Sequence, residues 1–292
     1  MSDKATILIQ LDTDSHPSVF DRVVAVDAGV QHLFSYGGVT PDVVMPLVHG
    51  CIFTRGPKDL SKTAIFIGGS DVTAGENLLT EVRKHLLPLF GLSVSVMLDS
   101  NGANTTATAA VIAAGRHLDL KTTKSLVLGG TGPVGQRVAR LLAAAGGHVR
   151  IGSRSRDKAE VVAASIRKAV PSASVEAVAS SSSADAPAAL DGRELVVAAG
   201  APGAMMLPLK YRIACKSLTV AIDLNGVPPA GIDGVELNDK AVNRQDCICY
   251  GALGVGGTKM KIHKAAVAAL FNKNDQVFDI EQIYQFGKSL GQ

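Results

Sequence analysis

Short apolar runs alternate with amphipathic stretches along most of the chain. In the first part this pattern predicts strands at residues 6–11, 64–67 and 92–98 and helices at 18–27, 73–87 and 104–118. In the second part it predicts strands at 125–128, 148–152, 174–178, 195–198, 217–224 and 248–250 and helices at 133–145, 156–169, 258–270 and 279–290. Alternation of strands with helices is typical of a parallel α/β architecture.

The chain divides at a polar segment between the two alternating sets. Residues 119–123 follow an alanine-rich predicted helix and precede the next buried strand, which makes them the candidate linker. We therefore predict an α/β protein with an N-terminal α/β domain at residues 1–118 and a doubly wound parallel sheet at 119–257. The helices of residues 258–292 are expected to pack back on the first domain. Residues 180–189, rich in serine and alanine, are predicted as an exposed loop that leads into a short helix.

The composition is that of a folded protein with a large core. The chain has 292 residues, of which 47% are hydrophobic and 19% are charged, and this excludes an intrinsically disordered chain. No apolar run approaches the roughly 20 residues that span a bilayer, and the first residues, MSDKATILIQLD, lack the apolar core of a signal peptide. The four cysteines are irregularly spaced, which predicts reduced structural thiols. We expect a cytoplasmic protein that does not bind membranes.

Charge is distributed unevenly along the chain. Residues 1–100 carry 7 basic and 11 acidic side chains, whereas residues 101–292 carry 22 basic and 15 acidic ones. This asymmetry predicts that the second part binds an anion. The chain has no basic run, 4% aromatic residues and no tryptophan, which argues against nucleic acid as that anion. A small phosphorylated ligand is the better candidate.

A glycine-rich segment directly follows the first strand of the second part. Residues 126–135 read LVLGGTGPVG and open an apolar helix, which is the context of a dinucleotide-binding motif. In this motif Gly130 permits the tight turn, Gly132 lets the backbone approach the pyrophosphate, and Gly135 lets helix and strand pack closely. The helix N-terminus offers N–H groups to the phosphates, so the sequence predicts a Rossmann-type domain. Its candidate cofactor-binding residues here are Gly130, Thr131, Gly132, Pro133, Val134 and Gly135.

The end of the next strand indicates which dinucleotide binds. An NAD site usually places Asp or Glu there for the ribose 2′-hydroxyl, but residues 150–156 read RIGSRSR without an acid. Arg154 and Arg156 suit a 2′-phosphate, and Ser153 and Ser155 add hydroxyl donors. We therefore predict NADP in preference to NAD, and the use of NAD stays open because a missing acid permits NADP without forbidding NAD. The alternative for both arginines is a solvated surface position.

Small polar residues follow two predicted strands of the first part. Asp12 and Asp14 come directly after the first strand, and Asn101 and Asn104 lie just beyond residues 92–98. Ligands in open α/β sheets bind outside the carboxyl ends of strands, and the two asparagines suit the donors and acceptors of a heterocycle. The alternative for each aspartate is a helix cap or turn. For Asn101 and Thr105 it is a helix N-cap.

Four segments, in this order, identify a family. They are DTDSHPSVFD (residues 12–21), MLDSNGANTTA (97–107), GGTGPVGQRVA (129–139) and YGALGVGGTKMKIHKA (250–265). The chain resembles the bacterial NAD(P)-dependent methylene-tetrahydromethanopterin dehydrogenases of methylotrophs, some of which also accept methylene-tetrahydrofolate. The resemblance spans nearly the whole chain. It implies a homo-oligomer with an N-terminal pterin-substrate domain and an NADP-binding domain.

The resemblance also implies a reaction, namely hydride transfer from the one-carbon methylene bridge of tetrahydromethanopterin to the nicotinamide. Removal of a hydride leaves a delocalised methenyl cation, so the reaction requires no metal and no general acid or base. The site needs close positioning of the donor carbon and negative charge near the developing cation. Asp12, Asp14 and Asp99 are the candidate carboxylates.

Further site residues follow from the resemblance. Lys259 is the candidate substrate-contacting lysine, which would orient the pterin through a carbonyl or ring nitrogen. His263 shares its helix face, and Phe20 suits stacking on the pterin. The alternatives are a solvated surface position for Lys259, a structural role for His263 and a core position for Phe20. The substrate-binding candidates are thus Phe20, Asn101, Asn104, Thr105 and His263. The candidates at the nicotinamide end of the cofactor are Gly200, Ala201, Asn225, Gly254, Val255 and Gly256.

Two other functions compete with the pterin dehydrogenase. A shikimate-type NADP dehydrogenase has a similar two-domain plan, but its C–O chemistry moves a proton and a titrating group would govern turnover. A non-enzymatic NADP-sensing protein would bind the cofactor without turning over any pterin.

Overall fold

The computed structural model describes residues 4–180 and 184–291. In chain order its strands are β1 (Ile7–Asp12), β2 (His32–Tyr36), β3 (Thr63–Gly68), β4 (Ser95–Leu98), β5 (Lys124–Leu128), β6 (His148–Ser153), β7 (Ser174–Ala179), β8 (Leu195–Ala198), β9 (Val220–Asp223), β10 (Lys240–Arg244), β11 (Cys247–Tyr250) and β12 (Val277–Phe278). Its α-helices are α1 (Val19–Asp27), α2 (Val44–Phe53), α3 (Val72–His85), α4 (Ala103–Ala114), α5 (Pro133–Ala144), α6 (Arg156–Ala169), α7 (Ala186–Leu190), α8 (Leu209–Ala214), α9 (Ala252–Ala269) and α10 (Ile280–Ser289).

The chain forms two compact units. Residues up to 105, together with those from 260 onward, form the first unit, and residues 106–259 form the second. The boundaries fall inside α4 and α9, whereas the sequence suggested a linker at 119–123, which here forms a turn after α4. The assignment of the pterin substrate to the first unit stays a prediction.

The first unit contains a five-stranded parallel sheet with strand order β12-β4-β3-β1-β2. Leu8 of β1 lies opposite Leu33 of β2 on one side and Ala64 of β3 on the other. β12 pairs with β4, so the C-terminal segment contributes an edge strand to this unit. Buried apolar side chains of β1, β3 and β4 pack against α2 and α3 on one face of the sheet. The carboxyl ends of the central strands therefore stand side by side at one edge.

The second unit contains a seven-stranded sheet with strand order β10-β11-β9-β8-β5-β6-β7. β10 runs antiparallel to β11, and the other pairs are parallel. The chain order reverses at β5, whose neighbours are β6 and β8. In open α/β sheets this reversal opens the crevice that binds ligands, and the glycine-rich segment begins at that point.

The predicted α/β class is confirmed by the two parallel sheets. The predicted strands of the second part are all present, with ends shifted by a few residues. The structure adds β2, α2, α8, β10 and β12, which the sequence analysis did not predict. Residues 181–183 of the predicted loop 180–189 lie outside the described residues, and α7 follows them. In the described part of the chain, no helix has the length and apolar character needed to cross a membrane.

The four cysteines are free thiols with different exposure. Cys51, Cys247 and Cys249 are buried, and Cys215 is half-buried. Burial raises the pKa of the Cys51 thiol to about 12. Two causes raise the pKa of the Cys249 thiol: the hydrogen bond with Cys247, which has the larger effect, and burial. These two thiols are therefore poor nucleophiles at neutral pH, because the thiolate is the reactive form.

We expect iodoacetamide at pH 8 to label Cys215 of the folded protein and to leave Cys51 unlabelled. At that pH a thiol with a pKa near 12 is ionised to about one part in ten thousand, and Cys51 is also 4% exposed. Peptide mass spectrometry measures both sites, and labelling in urea serves as the control in which Cys51 should react. Equal labelling of both cysteines in the folded protein would contradict the burial of Cys51.

Candidate functional site

The glycine-rich segment forms a tight turn between β5 and α5. Gly129 has a φ of +66°. The N–H of Gly130 donates to the carbonyl oxygen of Gly152 at 3.0 Å, and the N–H of Gly132 donates to that of Gly129 at 3.0 Å. α5 begins at Pro133 without a side-chain cap, so its first N–H groups remain available for a ligand. This arrangement suits the phosphates of a dinucleotide.

Close backbone approaches explain the glycines of this turn. A Cβ on Gly135 would lie 2.5 Å from the carbonyl oxygen of Gly129 and 2.8 Å from Cα of Gly130. A Cβ on Gly129 would lie 2.5 Å from Cα of Gly200, in the loop after β8. The left-handed conformation falls on Gly129, whereas the motif predicted the tight turn at Gly130. The pair of adjacent glycines at 129–130 is the sequence signal that could have located the turn one residue earlier.

The strand β6 ends at Ser153, the position at which an acid would bind a ribose in an NAD site. The hydroxyl of Ser153 lies 3.4 Å from that of Thr131 and accepts a hydrogen bond from the N–H of Ser155 at 3.3 Å. Ser155 is the N-cap of α6. Arg154 and Arg156 are exposed, and within residues 4–180 and 184–291 no hydrogen bond or ion pair engages either guanidinium. Both arginines are therefore available to a phosphate.

A cavity of about 240 Å³ lies beyond the ends of β9 and β11. Asn225 lines it, together with Asp223 and Val227. Asn225 Oδ1 accepts from the N–H of Val227 at 3.1 Å, and Nδ2 donates to the carbonyl oxygen of Pro229 at 3.2 Å. Burial raises the pKa of Asp223, although the N–H groups of Ile232 and Asn225 hydrogen-bond to it. The side chain of Asn225 thus stabilises the loop after β9, beside this cavity, through two hydrogen bonds to its backbone.

The other residues predicted at the nicotinamide end have different surroundings. Ala201 is exposed. Val255 is buried, and a Cβ on Gly254 would lie 1.8 Å from the carbonyl oxygen of Asp239. Gly254 and Val255 therefore pack the start of α9 against the rest of the unit. Gly256 has open space around it. Contacts of these residues with a cofactor stay a prediction.

Asp12 and Asp14, which follow β1, organise the loop at its carboxyl end. Asp12 is fully buried and accepts hydrogen bonds from Gln10 Nε2 at 3.3 Å, from the N–H of Asp14 at 2.9 Å and from that of Ser18 at 3.0 Å. Asp14 accepts from the N–H and the hydroxyl of Ser70, at 3.0 and 2.9 Å. These bonds fit the turn role that was the alternative for both aspartates. Their action on a developing cation stays a prediction.

The polar residues after β4 differ in exposure. Asp99 is fully buried and accepts from the N–H groups of Asn104 and Thr105 and, at 2.6 Å, from the Thr105 hydroxyl. Asn104 Nδ2 donates to the carbonyl oxygen of Leu98 at 2.7 Å. Asn101, by contrast, is exposed, has a φ of +57°, and makes no side-chain hydrogen bond to the described residues. Asn104 and Thr105 thus stabilise the turn that leads into α4, while the side-chain amide of Asn101 is exposed.

His263 lies inside the first unit. It is fully buried and stacks on Phe66, with ring centroids 5.6 Å apart. Its Nδ1 lies 3.8 Å from Asp99 Oδ2, and the Phe20 ring lies 6.2 Å away. Phe20 remains 49% exposed. Burial favours a supporting role for His263, whereas the exposed ring of Phe20 is accessible to a ligand. Lys259, one turn earlier on α9, is half-buried.

Two family models match parts of the chain. The model described as methylene-tetrahydromethanopterin dehydrogenase, N-terminal, matches residues 19–101. The model described as NADP oxidoreductase coenzyme F420-dependent matches residues 125–187, which run from β5 into α7. The second match agrees with the dinucleotide-binding turn of this unit.

Solved structures similar to the chain show the same fold. The 5-ketofructose reductase of Gluconobacter sp. strain CHM43 aligns with a TM-score of 0.56 and 18% identity, over 99% of this chain and 100% of that one. Shikimate 5-dehydrogenase from Listeria monocytogenes aligns with a TM-score of 0.56 and 15% identity, over 98% and 97%. At such identities the likeness concerns the fold alone, so it does not favour the shikimate-type alternative.

Two proteins of Methylorubrum extorquens are similar in sequence over most of the chain. The bifunctional protein MdtA is 43% identical over 286 residues, which cover 97% of this chain and 98% of that protein. An NAD(P)-dependent methylenetetrahydromethanopterin dehydrogenase is 31% identical over 263 residues, which cover 87% and 88%. The resemblance seen in the four motifs is thereby confirmed, and the chain belongs to the family of NAD(P)-dependent methylenetetrahydromethanopterin dehydrogenases, which are oxidoreductases.

Proposed function

We propose that this protein oxidises the methylene bridge of methylene-tetrahydromethanopterin to the methenyl cation, with NADP as hydride acceptor, in one-carbon metabolism and formaldehyde oxidation. Methylene-tetrahydrofolate is the second substrate we propose. The observation that carries the proposal is the end of β6, where Ser153 and two exposed arginines stand in place of an acid beside an uncapped helix N-terminus. The relative that is 31% identical is a methylenetetrahydromethanopterin dehydrogenase, which supports the pterin as substrate class.

The second unit fits the proposed cofactor. Cβ atoms on Gly129 or Gly135 would collide with backbone, so these glycines permit the close-packed turn that forms the cofactor cradle at the N-terminus of α5. Arg154 and Arg156 would hold the 2′-phosphate through charge-assisted hydrogen bonds. NADP, when bound, supplies the carbon that accepts the hydride. The protein's contribution is to position that carbon and to exclude other geometries.

Apart from Lys259, which the division of the chain puts at the end of the second unit, the groups that a pterin would use belong to the first unit. The displayed amide of Asn101 suits the donors and acceptors of the ring, and the half-exposed Phe20 offers a stacking surface. Asp12, Asp14 and Asp99 add negative charge at the same edge of the sheet, which favours a developing cation. Lys259 is proposed to orient the pterin. Since hydride removal leaves no proton to move, none of these residues needs to act as an acid or base.

The proposal extends to location and assembly. We infer a homo-oligomer from the family resemblance of the sequence, and we propose that it is cytoplasmic. Light scattering coupled to size-exclusion chromatography measures the assembly state directly.

We expect purified protein to reduce NADP when methylene-tetrahydromethanopterin is added, because both the cofactor cradle and the family membership support this reaction. The absorbance of reduced nicotinamide measures the rate. Methylene-tetrahydrofolate, and NAD in place of NADP, are tested in parallel and rank both substrates and cofactors. Shikimate with NADP serves as the control, which should give no reduction.

Absence of reduction with either pterin, while NADP still binds in calorimetry, would contradict the proposed function and favour an NADP-sensing protein. Reduction with shikimate, governed by a group that titrates near neutrality, would favour the shikimate-type alternative.

A further inference from the structure

The outer face of α1 is apolar although it is turned away from the core of the first unit. Val24 and Ala25 are the buried residues of this helix, whereas Val19, Val23 and Val26 are 69%, 56% and 62% exposed. The three valines lie at i, i+4 and i+7, so they share one face. An outer helix face normally carries polar residues, and a contiguous apolar patch marks a binding surface.

A groove of about 270 Å³ lies along this face. Arg22 and Asp27 line it together with the three valines. Arg22 Nη2 donates to the carbonyl oxygen of Pro17 at 2.7 Å, and its buried Nε has no hydrogen-bond partner among the residues that the structure describes. A guanidinium has five N–H donors, so Arg22 retains donors for an anion. Asp27 Oδ2 lies 4.0 Å from Lys264 Nζ, and this pairing offsets the negative charge of the groove.

The groove begins where we propose that the pterin binds. α1 follows β1 through the loop that Asp12 organises, so its first turn lies at the carboxyl edge of the sheet. Phe20, next to Val19, lies 6.2 Å from the His263 ring, which is in turn close to Asp99. From Val19 the three valines extend about 10 Å along the helix axis. A ligand whose ring stacks on Phe20 can therefore continue into the groove.

We propose that this groove binds the part of the substrate beyond the pterin. The aryl ring lies on the three valines, and Arg22 pairs with the acidic group of the tail. This inference rests on the proposed function, which supplies the pterin. Tetrahydrofolate and tetrahydromethanopterin both carry an aryl ring next to the one-carbon unit and an anionic group further along. Aryl rings gain from burial on apolar side chains, and a guanidinium binds carboxylate or phosphate with two parallel hydrogen bonds.

The chain offers matched controls for both parts of the groove. Arg55 is half-buried like Arg22 and also donates to one backbone carbonyl, that of Lys62, at 2.8 Å. Arg55→Ala therefore removes a comparable structural bond outside the groove. Val161, on α6 in the second unit, is 71% exposed, so Val161→Ser matches Val23→Ser in chemistry and exposure.

The experiment measures kcat and KM with methylene-tetrahydrofolate and NADP. Arg22→Ala is expected to raise KM for the pterin about tenfold or more, with kcat and KM for NADP nearly unchanged, and Arg22→Lys to restore part of the loss. Val23→Ser is expected to raise the same KM several-fold, whereas Arg55→Ala and Val161→Ser leave it at the wild-type value. A substrate shortened to the aryl ring should remove the effect of Arg22→Ala and keep that of Val23→Ser. Calorimetric titration with tetrahydrofolate should rank the affinities in the same order.

Equal effects of Arg22→Ala and Arg55→Ala, or a wild-type KM for Val23→Ser, would overturn the assignment of the groove. A change in molar mass on light scattering for Val23→Ser, with KM unchanged, would assign this face to a second copy of the chain instead. If the wild-type protein turns over no pterin, the proposed function itself fails, and that result is distinguishable because it does not depend on any variant.

Discussion

Gly135→Ala is expected to raise the Kd for NADP about 5- to 150-fold, because overpacking of this kind costs about 1–3 kcal/mol and tenfold in affinity corresponds to about 1.4 kcal/mol. The added Cβ would lie 2.5 Å from the carbonyl oxygen of Gly129 and 2.8 Å from Cα of Gly130. Both neighbours are backbone atoms, so no side chain can rotate away. α5 must move out from the turn, and its N-terminal N–H groups then no longer meet at the phosphate position.

Isothermal titration calorimetry with NADP measures this effect, and circular dichroism verifies that the fold is retained. Gly50→Ala in α2 is the matched control. A Cβ on Gly50 meets nothing within 4 Å, so this variant should bind NADP like the wild type and gain stability of up to about 1 kcal/mol from its helix propensity. A wild-type Kd for Gly135→Ala would show that the turn is not the phosphate site.

Sequence patterns predicted the central strands of both units better than the edge strands, for a physical reason. The central strands β3, β5, β8 and β9 are buried on both faces, and such strands appear as continuous apolar runs. The missed strand β2 lies at a sheet edge, and its residues alternate between exposed and half-buried environments, so HLFSY gives little hydrophobic signal. The missed helix α2 contains Pro46 and Gly50, which both weaken helix propensity. Its burial against the sheet through Val44 and Val48 outweighs that cost.

The candidate site shows a similar limit. The position of polar residues past strand ends could be predicted, because parallel strands bring their carboxyl ends to one edge. It could not be predicted which of these side chains form hydrogen bonds with the backbone and which remain exposed. Asn101 and Asn104 are the same residue type three positions apart, yet Asn104 bonds to the carbonyl of Leu98 and Asn101 faces outward. The difference follows from the left-handed φ of Asn101, which no local pattern reveals.

The double substitution Ser153→Asp with Arg154→Ala is expected to exchange the cofactor preference. Ser153 is the last residue of β6, so a carboxylate there reaches the position that binds a ribose 2′-hydroxyl in NAD sites and repels a 2′-phosphate. Loss of Arg154 removes a charge-assisted hydrogen bond, which is worth about 1.5–3 kcal/mol. Together the two changes should lower kcat/KM for NADP about 1000-fold and raise it for NAD.

Steady-state kinetics with both cofactors at saturating pterin separates the two contributions. Arg154→Ala alone should raise KM for NADP about 10- to 100-fold and leave that for NAD unchanged, since only NADP carries the phosphate. Arg193→Ala, at a basic side chain of the same unit outside the β6–α6 turn, is the control for a general loss of positive charge and should change neither value. Equal losses with NADP and NAD for Arg154→Ala would mean that Arg154 does not contact the 2′-phosphate. In that case Arg156, exposed two residues further along on the first turn of α6, becomes the remaining candidate, and the same pair of measurements on Arg156→Ala decides it.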